Sequence, residues 1–598
     1  MLIINILVCF RPVFIKIITI LPYLHSAPRL LIAATIFLAS SGAFSQLAPN
    51  AGALQNQLDL QLQRESQEPI IQPVKPEPST PGEKKGPQIA VTQFKFEGNT
   101  LFTDQQLHQV VKPWTNRSLQ ISEIEDAAAA IQDFYATRNR IAKAVLPPQE
   151  IKEGVVLIKI LEGKMGSVIV EPADNEGNAK PRFSMARAES YITHGVKGET
   201  YINTQSVERA MILLNETPGV AATGAFEPGG DSGFSNFRVK LRDTPWFDGY
   251  AALSNYGSSS TGVGQAIANL NFNNISGLGD QLSLNAIQSL GSGYVVGNYS
   301  IPVGYDGWKL GVQSSYLQYK TLSSWNASAP AAGSAGTIQA NTTYALQRTQ
   351  TANATAKLSI ENRGYNNVQT APSITTLSSY QITAANLSVS GNWASNENGY
   401  LSYSAGYVLG NLGIRDLAQS QADQNGVGTA GSYSKWTFSL SHIQELSLLK
   451  NTTWTNSVYG QLASKNLNSS EQIYMGGAYG VRAYPNSQGG GSQGAIFSTE
   501  LMHRINENWQ AGVFGDLGFV QQYVNLYSGW QGLTNANNNY QLGDAGITAK
   551  YFYKRASISA SLAARIGNNP LYNSSGQQLN TDNAYKSVQA WVRGTIPF

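Results

Sequence analysis

From Trp246 to Phe598 the chain alternates between apolar and polar positions with a period of two. In "QLSLNAI", Leu282, Leu284 and Ala286 alternate with Gln281, Ser283 and Asn285. In "YLSYSAGYVLG", Leu401, Tyr403, Ala405, Tyr407 and Leu409 share one face, and in "SISASLAARIG" Ile558, Ala560, Leu562 and Ala564 do the same. At the chain end Val588, Ala590, Val592, Ile596 and Phe598 face one way, and Ser587, Gln589, Arg593 and Thr595 the other. This period predicts strands, and no convincing helix is expected in the region. Small polar residues on one face and apolar residues on the other are the pattern of a membrane barrel, polar toward the lumen and apolar toward lipid. An open sheet would leave backbone groups unpaired in lipid, so the sheet must close. Over about 350 residues, at roughly 10 per spanning strand plus turns and loops, sixteen antiparallel strands fit and eight would leave very long loops. A large soluble β-protein is the competing expectation.

Before Trp246 the period changes. "IAVTQFKFEG" predicts a strand, "TDQQLHQVVKPW" a helix with Thr103 as N-cap, and "SEIEDAAAAIQDFYATR" a second helix capped by Ser122. "RIAKAVLPPQ" and "GVVLIKILEG" predict strands. The same β-α-α-β-β order recurs in "MGSVIVEP", "RFSMARAESYITHG", "NTQSVERAMILLNETPG", "VAATGAFEPG" and "FSNFRVKLRD". Two consecutive α+β units of about 75 residues are an internal repeat. They are expected over 88–163 and 164–244, ahead of the barrel over 245–598. "LQNQLDLQLQRE" predicts a short helix within 46–65, and the proline-rich segment over 66–87 an extended flexible linker.

The N-terminus predicts an export signal over 1–45. Arg29 precedes the apolar run Leu30 to Leu38, and Ala43-Phe44-Ser45 offers small residues for cleavage, with a further apolar stretch upstream from Met1 to Leu24. A retained membrane anchor, or a start site assigned too far upstream, is the alternative. No later stretch has about 20 continuous apolar residues, which argues against a helical membrane protein.

Composition agrees with the barrel. Only 13% of residues are charged, about half the fraction usual for soluble domains. Even so, the mean hydropathy is -0.21, because Gly, Ser, Asn, Thr and Tyr fill the difference. The net charge of +3 gives no reason to expect a nucleic-acid partner. The single cysteine, Cys9, lies in the expected signal, so no disulfide or thiolate metal site is expected after cleavage. The five histidines, His25, His108, His194, His442 and His503, have no metal-ligand spacing, and no catalytic triad is evident. Neither an enzyme nor a cofactor site is expected. "GGGSQG", Gly489 to Gly494, fits the dinucleotide pattern G-x-G-x-x-G. However, "AIFSTELMHRI" after it alternates like a strand, so loop flexibility is the better account.

One charge stands out in this charge-poor region. "MGGAYGVRAYPNSQGGGSQG" places Arg482 between Tyr479 and Tyr484 in a long glycine-rich segment.

Several segments together resemble the two-partner secretion transporters of the haemolysin activator and filamentous haemagglutinin transporter family, within the Omp85 superfamily. The repeats resemble polypeptide-transport-associated (POTRA) domains. "LPPQEIKEGVVLIKILEGKMG" is similar to the end of the first such domain and "LLNETPGVAATGAFEPGGDSG" to the second. "LSNYGSSSTGVGQ" and "ISGLGDQLSL" resemble the family's first barrel hairpin. "GVRAY", Gly480, Val481, Arg482, Ala483 and Tyr484, resembles its VRGY-type motif. "FGDLG", with Phe514, Asp516 and Gly518, resembles its F-x-D-x-G motif. Ala483 departs from the glycine common in relatives.

The resemblance implies a monomeric outer-membrane pore of a Gram-negative cell, with its N-terminal domains in the periplasm. It is expected to be assembled by the barrel assembly machinery and surrounded by outer-membrane lipid. Its implied partner is one large exoprotein, adhesin or haemolysin-like, recognised by its N-terminal secretion domain and threaded unfolded through sixteen strands. It also implies that the segment around Arg482 folds back into the barrel and that Arg482 pairs with Asp516. The alternation of Ala511, Val513, Leu517 and Phe519 permits this by pointing Phe514, Asp516 and Gly518 into the lumen. "LQNQLDLQLQRE" corresponds to the family's plug helix, with a mere leader as the alternative. An insertase of outer-membrane proteins and a passive porin are the competing functions. Two repeats favour secretion over the first, and their presence is unexplained by the second.

Overall fold

The computed structural model describes residues 50–65, 88–173, 181–231, 233–324, 330–371, 373–395, 399–532, 534–573, 575–582 and 586–598. The expected signal over 1–45, including Cys9 and His25, and the proline-rich segment over 66–87 lie outside the described residues.

Helix α1 (Ala51–Glu65) comes first. The first α+β unit contains β1 (Gln88–Val91), β2 (Gln93–Glu97), α2 (Asp104–Val111), β3 (Arg117–Gln120), α3 (Ile121–Ala136), β4 (Ala142–Val145) and β5 (Val155–Glu162). Its three-stranded sheet has the order β2-β5-β4, and Phe94, Leu107, Ile131 and Ile158 are among its core residues. Thr103 caps α2 in a box with Gln106. Two details differ from the sequence reading. The strand expected from Ile89 is divided at Thr92, whose N–H donates to Gly154 O at 2.8 Å, and β1 pairs separately with β3. That extra strand runs up to Gln120, so α3 begins at Ile121. Its cap is therefore Gln120 boxed with Glu123, and Ser122 falls inside the first turn.

The second unit contains β6 (Lys164–Pro172), α4 (Met185–Gly195), α5 (Thr204–Asn215), β7 (Val220–Pro228) and β8 (Phe234–Asp243), with sheet order β6-β8-β7. The units meet through backbone hydrogen bonds, Ile202 N to Gly163 O at 2.9 Å and Thr204 N to Asn139 O at 3.0 Å. Beside this joint the buried Glu162 carboxylate accepts from Thr100 N, Leu101 N and Tyr135 Oη at 2.8–2.9 Å, and from Thr100 Oγ1. Burial works to raise the Glu162 pKa. The hydrogen bonds outweigh it and hold the carboxyl below its ordinary value.

Among the described residues sixteen antiparallel strands, from Phe247–Ser254 to Val588–Pro597, form one closed barrel. The first and last strands pair with each other, as closure in lipid demands. The last strand shows the predicted faces: Val588, Val592 and Ile596 are about half exposed, whereas Trp591 between them is buried. Short turns join strands at the end facing the α+β units, and the long connections lie at the other end. Trp308, Trp393, Trp454 and Trp509 stand exposed at the short-turn ends of their strands, as an interfacial girdle would. The second unit sits against these turns. Arg209 Nη2 donates to Ala345 O at 2.8 Å and pairs with Asp306, Arg348 pairs with Glu216, and Ala345 enters the unit's apolar core.

One expectation about the barrel region is corrected. A helix, Leu417–Asn425, forms in a long loop despite its polar sequence "LAQSQADQN". Local capping supports it. Asp416 accepts from Gln419 N, and the buried Asp423 accepts from Thr429 N, Thr429 Oγ1 and Ala430 N.

Candidate functional site

Among the described residues two segments fill the lumen. One is the connection between strands Thr452–Ala463 and Gln493–Arg504. A two-residue ribbon, Ile473–Tyr474 with Gly490–Gly491, closes its base, so the glycines of "GGGSQG" lie in and beside a loop ribbon. Beyond the ribbon the backbone doubles back inside the barrel, and Val481, Ala483 and Tyr484 are almost fully buried.

At its tip Arg482 meets Asp516 through two parallel contacts, Nε to Oδ2 at 2.7 Å and Nη2 to Oδ1 at 3.0 Å. Bidentate pairing fixes orientation as well as distance. Nη1 reaches Glu500 Oε2 at 2.7 Å, and the guanidinium lies 3.3 Å from the centroid of the Phe514 ring. Gly518 is the third motif residue, and its role is space. A Cβ there would stand 2.8 Å from Met475 Sδ and 3.0 Å from Val481 Cγ2, so a side chain would push the loop off the wall.

The wall also satisfies the loop backbone, which lacks a ladder of its own at this point. Arg482 N donates to Asp516 at 3.3 Å and Ala483 N to Asp544 Oδ2 at 2.6 Å. Trp591 Nε1 donates to Arg482 O at 2.6 Å and Arg565 Nε to Ala483 O at 3.2 Å. Strand register aligns these groups: Ser498 stands opposite Asp516, Asp516 opposite Asp544, and Asp544 opposite Arg565, forming one row across four strands. Tyr484 is buried with its ring 4.3 Å beneath the Arg565 guanidinium. Ala483 does not adopt a positive φ, so nothing in its backbone calls for glycine.

Sequence reasoning missed Glu500, Ser498, Asp544, Arg565 and Trp591. Their inward parity was legible, but which inward residues lie level with one another depends on strand register. A second anchor was also missed. Glu471, at the loop's base, is buried against Lys435 Nζ at 2.8 Å and against Arg363, which also pairs with Glu361 at 3.0 Å.

The other lumen segment is α1. Its N-terminus lies near the long-loop end, where Ala51 N donates to Asn367 Oδ1 at 2.7 Å. Its C-terminus lies toward the short-turn end, where Glu65 meets Arg593 at 2.9 Å. Ala51, Leu54, Gln55, Leu58 and Gln61 form its buried stripe. The leucines pack on inward apolar residues, including Leu317, Tyr365 and Ile382, so the lumen is less uniformly polar than the alternation suggested. The polar contacts are mostly amides. Gln55 Nε2 donates to Ser315 and Thr337 at 3.1 and 2.9 Å, Asn56 Nδ2 to Ser470 O and Gln472 O at 3.2 and 2.9 Å, and Gln57 to Ser487.

Comparison with known proteins places this architecture. Residues 233–551 match the family described as haemolysin secretion/activation protein ShlB/FhaC/HecB, and residues 89–163 match the ShlB-type POTRA domain. The heme/hemopexin transporter protein HuxB of Haemophilus influenzae (strain 86-028NP) is 24% identical over 546 residues, covering 89% of this chain and 94% of that protein. The outer membrane transporter CdiB of Dickeya dadantii (strain 3937) is 25% identical over 460 residues, covering 73% of this chain and 75% of that one. The solved structure of CdiB from Escherichia coli shares the fold, with a TM-score of 0.64 at 20% identity over 91% of this chain and 98% of that one. The family match spans more than half of the chain, and a closed sixteen-stranded barrel follows the POTRA unit. This protein therefore belongs to the ShlB/FhaC/HecB family of haemolysin secretion/activation proteins, outer-membrane transporters of two-partner secretion.

Proposed function

We propose that the two α+β units collect one large exoprotein in the periplasm through its N-terminal secretion domain, and that it crosses unfolded through the lumen once α1 has withdrawn. The transporter acts as a monomer, with outer-membrane lipid around it, after insertion by the barrel assembly machinery. The observation carrying this reading is the occupied lumen: a helix held largely by neutral amides runs beside a loop held by buried ion pairs. A path for a polypeptide needs the first to leave and the second to stay. Folding of the exoprotein outside supplies direction, since this membrane offers no nucleotide. Residues 480–484 with Phe514, Asp516 and Gly518 keep the loop against the wall while the chain passes.

The test is single-channel conductance together with export. Removing residues 46–86 is expected to raise conductance, and removing 88–243 to abolish exoprotein in the medium while a heat-modifiable barrel remains in the membrane. Normal export without 88–243 would remove the recognition role.

A further inference from the structure

The barrel closes at its shortest ladder. The first strand, Phe247–Ser254, and the last, Val588–Pro597, pair over five residues, from Tyr250 with Pro597 to Ser254 with Arg593. Among the described residues every other neighbouring pair in the barrel runs over at least eight. Gly249 with Phe598 below and Asn255 with Val592 above extend the seam by a few hydrogen bonds. A short ladder has few cooperative bonds, so local opening starts there most readily.

The last residue of α1 sits on this seam. Glu65 Oε2 accepts from Tyr250 Oη of the first strand at 2.9 Å, and Glu65 Oε1 pairs with Arg593 Nη1 of the last strand at 2.9 Å. The Glu65 side chain is 2% exposed and that of Arg593 12%. One turn earlier, Gln61 donates to Gln265 Oε1 on the second strand at 3.2 Å, and Ser254 Oγ donates to the same oxygen. One carboxylate thus spans the junction, with one oxygen on each edge.

We propose that seated α1 clasps the closing seam through the Glu65 carboxylate, so that departure of the helix loosens the pairing of the first and last strands. The helix then does two things at once: it occupies the lumen and it holds the barrel shut. Charge-assisted bonds in a largely water-excluded place are the stronger kind, and two of them reinforce the ladder that has least of its own. The proposal rests on α1 lying in the lumen and not on its being the gate for the exoprotein.

Hydrogen exchange of the full chain in detergent micelles tests it, with wild type compared against Glu65→Ala and Tyr250→Phe. Tyr250→Phe removes one arm of the clasp and leaves the Arg593 ion pair in place. Exchange in Tyr250–Ser254 and Arg593–Pro597 is expected to be about tenfold faster in Glu65→Ala and about threefold faster in Tyr250→Phe. The opposite wall, Thr375–Ser395 with Gly399–Ile414, is expected to stay as in wild type. Unchanged seam exchange in both variants, or acceleration spread evenly round the barrel, would overturn the clasp. Conductance of the form lacking 46–86 reports separately on the plug: no rise there removes the gating role and leaves the seam result to stand or fall alone.

Discussion

The loop and the helix share one lumen and differ in where buried ion pairs hold them among the described residues: the loop at its tip and base, the helix only at its last residue, with amides and leucines along the rest. Among the described residues the loop is fixed by two buried ion clusters, Arg482 with Asp516 and Glu500, and Glu471 with Arg363 and Lys435. The helix is fixed by an apolar stripe, a row of neutral amides, Asp59 accepting from Tyr294, and the salt bridge from Glu65 to Arg593. A neutral hydrogen bond contributes about 1 kcal/mol net, because water replaces it when it breaks. Breaking a buried ion pair by losing one partner costs about 3–5 kcal/mol, because the other charge is left desolvated. A segment that must leave and return is better held by many exchangeable contacts. A segment that must stay is better held by few contacts that are costly to break. The difference lies in the height of the barrier to departure more than in total affinity.

The largest effect is expected at the loop tip. Arg482→Ala and Asp516→Ala should each lower exoprotein in the medium by on the order of a hundredfold, with folded barrel still in the membrane. The double variant should lose less than the sum of the two, because Asp516→Ala removes the carboxylate that Arg482→Ala leaves buried without its cation. Export normalised to heat-modifiable protein measures this, and strictly additive losses would show that the two residues do not act as one lock.

Glu471→Gln tests whether the base of the loop is anchored in the same way. Among the described residues it removes the one carboxylate that Lys435 pairs with and leaves Arg363 only Glu361, and export should fall about tenfold. Wild-type export would confine the lock to the tip and break the comparison at this end.

For the helix the expected effects are graded. Gln55→Ala removes two such bonds, so it should cost about 2 kcal/mol of seating, and open-channel events should rise roughly thirtyfold without loss of export. An effect as large as that of Arg482→Ala would mean that amides and ion pairs do not divide the lumen as described.

Glu162 offers the smallest effect and sharpens the comparison from outside the membrane. It is a buried carboxylate held by neutral donors alone among its hydrogen-bond partners. Its folded pKa lies below the unfolded value, so its contribution to stability is present above about pH 4.3 and is lost as pH falls through the lower folded value. Acid unfolding of the first α+β unit, followed by exchange of β5, should therefore lose part of its pH dependence below pH ~4 in Glu162→Gln. An unchanged acid limb would show that the hydrogen bonds do not favour the ionised form.

Much of this was legible in one dimension. Alternation in "VQAWVRGTIPF" assigned lipid and lumen faces because the strand period is two, and closure followed from the cost of unpaired backbone in lipid. The repeated pattern before Trp246 located both α+β units, because helix and strand periods differ. Arg482 and Asp516 were identifiable from a lone cation in a glycine-rich segment, an aspartate of inward parity and a family motif. Parity names a face and not a level along the barrel axis. That is why Asp544, Arg565 and Trp591 stayed hidden until register set four strands side by side. The short strand at Arg117–Gln120 was missed because four residues are too few to establish a period. The helix at Leu417–Asn425 was missed because it has no apolar face and depends on caps closed by residues beyond its end. The sequence by itself determined which residues could face the lumen, since a side chain's face depends on its own strand alone. Tertiary structure decided which of them meet: Glu65 with Arg593 and Tyr250, and Glu471 with Arg363, are separated by more than a hundred positions along the chain. They become neighbours only when the barrel closes around its own N-terminal helix and its longest inward loop.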